Sequence, residues 1–447
     1  MPSRNAETER LYWPRDEIAV WQTERLRETL ARARRSQLYA AHLPDVTSQP
    51  EPAAHASAVA LLAALPLTTK EDLRSASPWG LVAVERDELI QYHESYGTTG
   101  TPVSGWLTRG DLAHYAAQIN HSAVNFDRGD RVLVRFPYAI SVPAHIVSQA
   151  ARNRGACVIP ASSRTTISPY PRVIDLLGKL DVTVLGCLPM EAIWLAEAAR
   201  RLGREPGRDF PHLRAICTAG ELLSDARRER IAELWNCRVY NLYGCTEAGN
   251  IAADCDEGRL HVSWDHFLLE VLDEGLEKPV PAGQRGVAVL TTLTREAQPL
   301  VRFVLGDYVR VIEDHGCPCG RQSPVIEHFG RDLNRLRVGD RWLYVRDLEQ
   351  RLLAAPAETI GDLWLIEVDG QEVRFRAEAR RPDPRLYRRL EEEVGEELGI
   401  RLKIDAVACG SLLNRARFDV VQPVNKPRVI GQTRPDRRPL TLDDLMP

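Results

Sequence analysis

Residues 95–102 read Ser-Tyr-Gly-Thr-Thr-Gly-Thr-Pro and follow closely on the hydrophobic stretch Leu89–Tyr92, with His93 and Glu94 between. Hydroxyls at Ser95, Thr98, Thr99 and Thr101, with glycines at Gly97 and Gly100, suit a loop that wraps a polyphosphate. Hydroxyls and backbone N–H groups donate to phosphate oxygens, and glycine lets the backbone come close. A solvated Ser/Thr/Gly hairpin turn has the same composition, and no Gly-Lys-Ser/Thr follows at the spacing of a Walker loop, so the loop alone decides nothing. A second group with chemical potential is Cys255, His261, Cys317 and Cys319. A Cys-x-Cys flanked by Pro and Gly makes a metal knuckle, and the earlier Cys and His can supply two more ligands. Cys₃His is a closed tetrahedral set of the kind that holds structural zinc. The Cys-x-Cys spacing is tighter than the usual two-residue gap, and the competing reading is unrelated reduced cysteines in turns.

Such residues need a scaffold, and 447 residues suffice for two or three domains around a large core. The net charge of −4 gives no basic footprint for nucleic acid. No apolar run approaches a membrane span, and the start MPSRNAETERLYW lacks the apolar core of a signal peptide. Nine cysteines, odd in number, fit a reducing cytoplasm better than a disulfide framework. Basic residues are nearly all Arg; the only lysines are Lys70, Lys179, Lys278, Lys403 and Lys426.

The pattern predicts an Arg-rich amphipathic helix over 16–35 with Asp16 as its N-cap. From about 110 to 245, apolar strands at 131–136, 156–160, 182–187, 213–218 and 237–242 alternate with helices such as 190–202 and 224–235. Such alternation predicts a parallel sheet covered by helices. Residues 255–312 turn β-rich, with strands at 286–293 and 308–312. After a boundary near 330–335 comes a smaller unit: strand 342–345, helix 346–354, strands 363–369 and 372–378, a helix over 384–398 opened by Pro384, and strand 401–407. The expected fold class is α/β. A large N-terminal domain over 1–330 carries parallel sheets and a β-rich subdomain at about 255–330. A small α+β C-terminal domain covers 331–447.

Downstream of the loop lie TAGE (218–221), YNLYGCTEAG (240–249), RFVLGD (302–307) and GRDLNRLRV (330–338). This order resembles the adenylate-forming superfamily. His93 before the loop, LPLTTKEDLR (65–74) and the segment Trp21–Tyr39 resemble its phenylacetate–coenzyme A ligase branch. The resemblance spans nearly the whole chain. It implies that a carboxylate attacks the α-phosphate of ATP and pyrophosphate leaves, so that two anions are held together and the developing charge is spread. In the family's pattern the loop through Thr101 holds the phosphates. Glu247 holds Mg²⁺, and Thr246 bonds the α-phosphate. Asn241, Tyr243 and Gly244 belong to the same nucleotide motif, with Tyr243 packed against nucleotide or acyl group. Asp307 accepts both ribose hydroxyls. Ala219, Gly220 and Glu221 lie along the adenine, and Arg331 in the hinge reaches the nucleotide. Tyr138, Ile140 and Ala144 stand where the branch builds its acyl pocket, and a core role suits them equally.

The resemblance further implies a mobile C-terminal domain that brings in a lysine for adenylation only. Lys426, in PVNKPRVIG, matches the place, with Asn425 where the family has Gly. The implied partners are ATP, Mg²⁺, a small carboxylic acid and coenzyme A; related enzymes are often dimers, and the N-terminal helix could serve a homodimer. Two departures bear on function. Thr101 stands where the loop usually has Lys, and GDRWLYV (339–345) replaces an Arg-Gly-Val-Asn run at the coenzyme A entry, so that Asp340 and Trp342 add charge and bulk. One reading is therefore adenylation of an aromatic acid followed by transfer to coenzyme A. A second keeps the adenylation but passes the activated acid, or nitrite, to an amine without coenzyme A. A third is a non-catalytic binding relic, against which intact Glu247, Asp307 and Arg331 argue.

Overall fold

The structure, a computed structural model, describes residues 8–43, 58–95, 101–312, 316–416, 429–432 and 440–442. The fold is α/β, with a large mixed sheet and a smaller α+β domain. Contacts gather the chain into two units: Met1–Asp130 with Pro137–Val158 and Tyr240–His328, and Arg131–Phe136 with Ile159–Val239 and Phe329–Pro447.

In the first unit the strands are joined mainly by short turns and pair antiparallel. Phe267–Leu272 lies beside Arg285–Thr292, which lies beside Phe303–Val311. Gly249–Asp254 lies between Arg238–Cys245 and Leu260–Val262. The turns that join Arg238–Cys245, Gly249–Asp254 and Leu260–Val262 are too short for the crossover that parallel pairing needs, so these strands can pair only antiparallel. Tyr243, Ile251, Phe267, Leu290 and Phe303 bury one core with Leu26, Tyr39 and Leu62 of the N-terminal helices. The first long helix runs Arg15–Ala33 and corrects one expectation: Asp16 is not its N-cap. Pro14, extended at ψ 152°, ends the preceding chain and holds the N-cap position with no side-chain cap bond. Asp16 instead sits in the first turn, where its charge still meets the helix dipole favourably.

In the second unit Arg131–Val134, Val184–Cys187 and Ala215–Ala219 pair parallel, as the alternation predicts. Val184–Cys187 is buried along its whole length, consistent with helices on both faces. Beyond Phe329 come the hairpin Arg335–Val338 and Arg341–Tyr344, the helix Val345–Leu352, and a sheet ordered Arg401–Val407, Glu372–Glu378, Trp364–Asp369, Ile430–Gln432. The helix Pro384–Leu398 packs there, its N-cap Asp383 accepting from the amides of Arg385 and Leu386. The helix Asp225–Trp235 grips this region through two arginines. Arg227 Nε lies 2.7 Å from the buried Glu349 carboxylate. Arg230 donates to the carbonyls of Leu353 and Ala355 and pairs with Asp362 at 3.1 Å. Among the described residues no helix is long and apolar enough to cross a membrane.

Candidate functional site

The motif YNLYGCTEAG folds as a hairpin: strand Arg238–Cys245, a turn at 246–248, and strand Gly249–Asp254. Gly244 is obligatory here, because a Cβ on it would lie 2.1 Å from the Gly249 carbonyl oxygen of the facing strand. The tight pinch, with a register slip between Tyr243 and Gly244, presents Thr246 and Glu247 on the turn. Glu247 is no surface turn residue: it is 8% exposed, and its Oε1 lies 3.1 Å from Lys70 Nζ. Tyr115 of the helix Arg109–Asn120 supports the turn by donating to the Glu247 carbonyl at 3.3 Å. A Cβ on Gly105 would stand 3.7 Å from Thr246 Cγ2, so the strand Ser104–Thr108 runs directly past Thr246.

Lys70 opens the helix Lys70–Ala76, whose N-cap Thr69 forms a capping box with Asp72. Its placement follows from Thr68, which exchanges backbone hydrogen bonds with Arg302 and Val304 and donates its hydroxyl to the Val301 carbonyl. The segment LPLTTKEDLR is thus fastened to the strand that carries Asp307. Arg74, one turn after Lys70, donates through Nε to the Thr101 carbonyl at 3.2 Å. At the loop's near end Ser95 Oγ accepts the Val103 amide at 2.9 Å and Ser95 N–H donates to the Val103 carbonyl, closing the loop's base. Gly97, Thr98, Thr99 and Gly100 lie outside the described residues, as does Lys426.

Asp307 lies inside the strand Phe303–Val311, not before it. Gly306 takes φ +73° where the pairing with Arg285–Thr292 slips between Val287 and Val289, a bulge that re-aims the next side chain. The Asp307 carboxylate is buried and accepts from His328 Nε2 at 3.2 Å. Tyr243 packs its ring on His328 at 4.6 Å, which links the Glu247 hairpin to Asp307. Asn241 donates its amide N–H to Asp254 at 2.7 Å, while its side-chain Oδ1 is buried with no partner among the described residues. Lys70, Arg74 and His328 are the residues that reasoning from motifs missed. The scarcity of lysine was the one available signal for Lys70; nothing in the text of the sequence marked His328.

Tyr138, Ile140 and Ala144 flank a histidine pair. Tyr138 OH shares a 2.7 Å hydrogen bond with Ser148 Oγ, and the Tyr138 carbonyl accepts from His145 Nε2 at 2.9 Å. His145 lies 5.4 Å from the Tyr138 ring and 5.1 Å from His93. Ile140 has φ +53°, a strained conformation for a β-branched residue, and its carbonyl accepts from both His93 Nδ1 and the Glu94 amide. Burial first, and then neighbouring His145, pushes His93 down to about 4, so it is neutral at physiological pH. Ala144 is wholly buried and Ile140 is 52% exposed.

In the second unit Ala219 ends the strand Ala215–Ala219, and Gly220 turns the chain at φ +82°. Glu221 accepts the Met190 amide at 3.1 Å, at the start of the helix Pro189–Arg201. Arg331 closes the strand Val325–Arg331 and donates its amide to Asn334 Oδ1 at 3.0 Å. Trp342 is exposed on its hairpin with the Arg335 guanidinium 4.5 Å from its ring.

Cys255, His261, Cys317 and Cys319 converge, their ligand atoms within 4.8 Å of one another. Zn–S bonds of about 2.3 Å and Zn–N bonds of about 2.0 Å require tetrahedral edges of about 3.8 Å (S to S) and about 3.5 Å (S to N). The Cys255–Cys317 separation is 3.8 Å and the Cys319–His261 Nε2 separation 3.5 Å. His261 Nδ1 donates to the Ser323 carbonyl at 2.9 Å, which fixes the tautomer with the Nε2 lone pair free for a metal. The donor set fits zinc.

The family described as AMP-binding enzyme matches residues 21–291. A phenylacetate-coenzyme A ligase of Thermus thermophilus is 31% identical over 354 residues, 77% of this chain and 77% of that protein. One of Pseudomonas putida is 26% identical over 415 residues, 89% of this chain and 92% of its own length. Among solved structures, a 2-hydroxyisobutyryl-CoA ligase in complex with 2-HIB-AMP gives a TM-score of 0.83 at 22% identity, covering 98% of this chain and 94% of that one. That last likeness bears on the fold. The sequence matches bear on descent: this chain belongs to the AMP-binding enzymes of the adenylate-forming superfamily, in the phenylacetate–coenzyme A ligase-like branch.

Proposed function

We propose that the protein adenylates an aromatic carboxylic acid with ATP and passes the acyl group to coenzyme A, releasing AMP and pyrophosphate. The observation that carries this reading is Glu247, a carboxylate nearly sealed from solvent on a sterically enforced turn and set against Lys70. Lys70 pairs with Glu247 at 3.1 Å and is itself a cation for a phosphate oxygen. Arg74, bonded to the Thr101 carbonyl, brings a guanidinium to the loop that lacks the usual lysine. Thr246 offers a hydroxyl beside Glu247 for the α-phosphate. Asp307, oriented by His328, offers its carboxylate to ribose hydroxyls, and the orphaned Asn241 Oδ1 suits an amino group of adenine. Mg²⁺, when bound at Glu247, neutralises phosphate charge and needs only one carboxylate besides waters and phosphate oxygens. Lys426 then supplies charge to the transferring phosphate from the C-terminal domain. Rotation of that domain between half-reactions has to break the grip of Arg227 and Arg230. Tyr138, His145 and His93 form a cluster of tilted and edge-on rings that favours an aromatic acyl group. Cys255, His261, Cys317 and Cys319 hold a structural zinc ion.

One observation favours a second acceptor. Exposed Trp342 with Arg335 against its ring puts bulk and charge on the hairpin where the branch admits coenzyme A, which suits transfer to an amine. The deciding experiment is pyrophosphate and AMP release over a panel of aromatic acids, with and without coenzyme A. Release that needs both acid and coenzyme A establishes the ligase. Acceleration by an amine or nitrite and not by coenzyme A establishes the second reading, and no release with any acid refutes both.

A further inference from the structure

On residues distinct from the cysteine cluster, three buried side chains converge: His121, Asp265 and His266, with ligand atoms all within 4.8 Å of one another. Each imidazole is held by a hydroxyl on Nδ1: His121 by Ser263 Oγ at 2.8 Å, His266 by Thr294 Oγ1 at 2.8 Å. Both Nε2 atoms face Asp265 Oδ2, at 3.8 Å and 3.7 Å. Those separations are too long for hydrogen bonds. They lie within a few tenths of an ångström of the edge, about 3.4 Å, of a tetrahedron with metal–ligand bonds of about 2.1 Å. Asp265 is 2% exposed, and its Oδ1 has no partner among the described residues. A carboxylate oxygen left so in a dry site carries a desolvation penalty that native proteins rarely leave unmet. A cavity of about 310 Å³, lined by Arg32, His114, Asp265, His266, Thr294 and Glu296, adjoins the cluster and has room for water.

We infer that His121, Asp265 and His266 form a second transition-metal site, with His Nε2, His Nε2 and carboxylate as ligands and a remaining position open to the cavity. Two imidazoles with one carboxylate select a borderline ion such as Zn²⁺, not Mg²⁺, which takes oxygen ligands. Ser263 and Thr294 are positioning residues that fix the two rings. The ion has a structural consequence for the site. His121 is the C-cap of the helix Arg109–Asn120, whose Tyr115 donates to the Glu247 carbonyl and whose Gln118 accepts the Asn250 amide. Metal at His121 therefore pins the helix that supports the Glu247 turn.

The test is Co²⁺ uptake by the full chain after chelation, followed by absorption spectroscopy and metal analysis. A thiolate-ligated ion shows intense sulfur-to-cobalt charge transfer; an ion on two imidazoles and a carboxylate shows only weak d–d bands. The expected result is one tight equivalent without the thiolate band, retained when Cys255→Ser and Cys317→Ser are combined. Asp265→Asn or His266→Gln removes it, and Ser263→Ala weakens it about 10–100-fold. A wild-type chain in which every bound Co²⁺ carries the thiolate band overturns the inference, and that readout needs no variant to fold. So does uptake unchanged in a folded Asp265→Asn chain, which would leave the three side chains as a metal-free polar cluster.

Discussion

Lys70→Met tests the centre of the argument. The gross attraction between Lys70 and Glu247 at 3.1 Å, with an effective dielectric constant of 20, is about 5 kcal/mol. Most of that is offset by desolvation, and the Lys70 side chain is still 29% exposed, so the pair lies between a surface bridge and a buried one. The expected destabilisation is about 1–3 kcal/mol, because Glu247 is left as a buried carboxylate without its partner. Glu247→Gln removes the charge itself and costs less, and the double variant Lys70→Met/Glu247→Gln recovers about 1 kcal/mol or more relative to the sum. Chemical denaturation of the four proteins gives this coupling directly. Catalysis separates from stability: Glu247→Gln abolishes acid-dependent pyrophosphate release in a folded protein, and Lys70→Met lowers kcat/KM about 10²–10³-fold. Additive stabilities within about 0.5 kcal/mol, with pyrophosphate release unchanged in Lys70→Met, would refute the reading of this pair as the core of the site.

The remaining predictions rest on other residues. Gly244→Ala forces a Cβ to within 2.1 Å of the Gly249 carbonyl oxygen; the hairpin must open, with a loss of about 1–3 kcal/mol in thermal unfolding and a larger fall in pyrophosphate release than in stability. His93 is neutral in the folded chain because burial depresses it to about 4 from an ordinary 6.5. Its contribution is therefore full above pH 6.5 and is lost as pH falls towards 4, by up to about 3 kcal/mol, and His93→Asn should be less acid-sensitive than the wild type over that window in denaturant titrations. Removing zinc from Cys255, His261, Cys317 and Cys319 with a chelator should lower the melting temperature, and Cys319→Ser should lose one zinc equivalent by elemental analysis; a protein purified without zinc and indifferent to the chelator would sink that assignment.

The second unit shows how local rules survive into the fold. Its apolar runs near 182–187 and 213–218 became Val184–Cys187 and Ala215–Ala219, and the Asp383–Pro384 opening became a capped helix, because burial on both faces and capping are properties of a few adjacent residues. Asp16 failed as a cap because Pro14, two residues earlier, set the chain direction first. In the first unit Glu247 and Asp307, singled out by the motif series, are both buried, and the four residues of the cysteine group lie close together.

The sequence by itself determined which residue types stand where: the hydroxyl and glycine loop, the Tyr-Gly-Cys-Thr-Glu hairpin, the buried strands and the Cys-x-Cys knuckle. These depend on spacings of a few residues, which the covalent chain enforces directly. Tertiary structure alone decided the pairings across long stretches of chain: Lys70 with Glu247, His328 with Asp307, Arg74 with Thr101, and His121 with Asp265 and His266. None of these has a sequence signature, because each partner is brought up by a different element and the match of charge and burial exists only after the sheets and helices have packed.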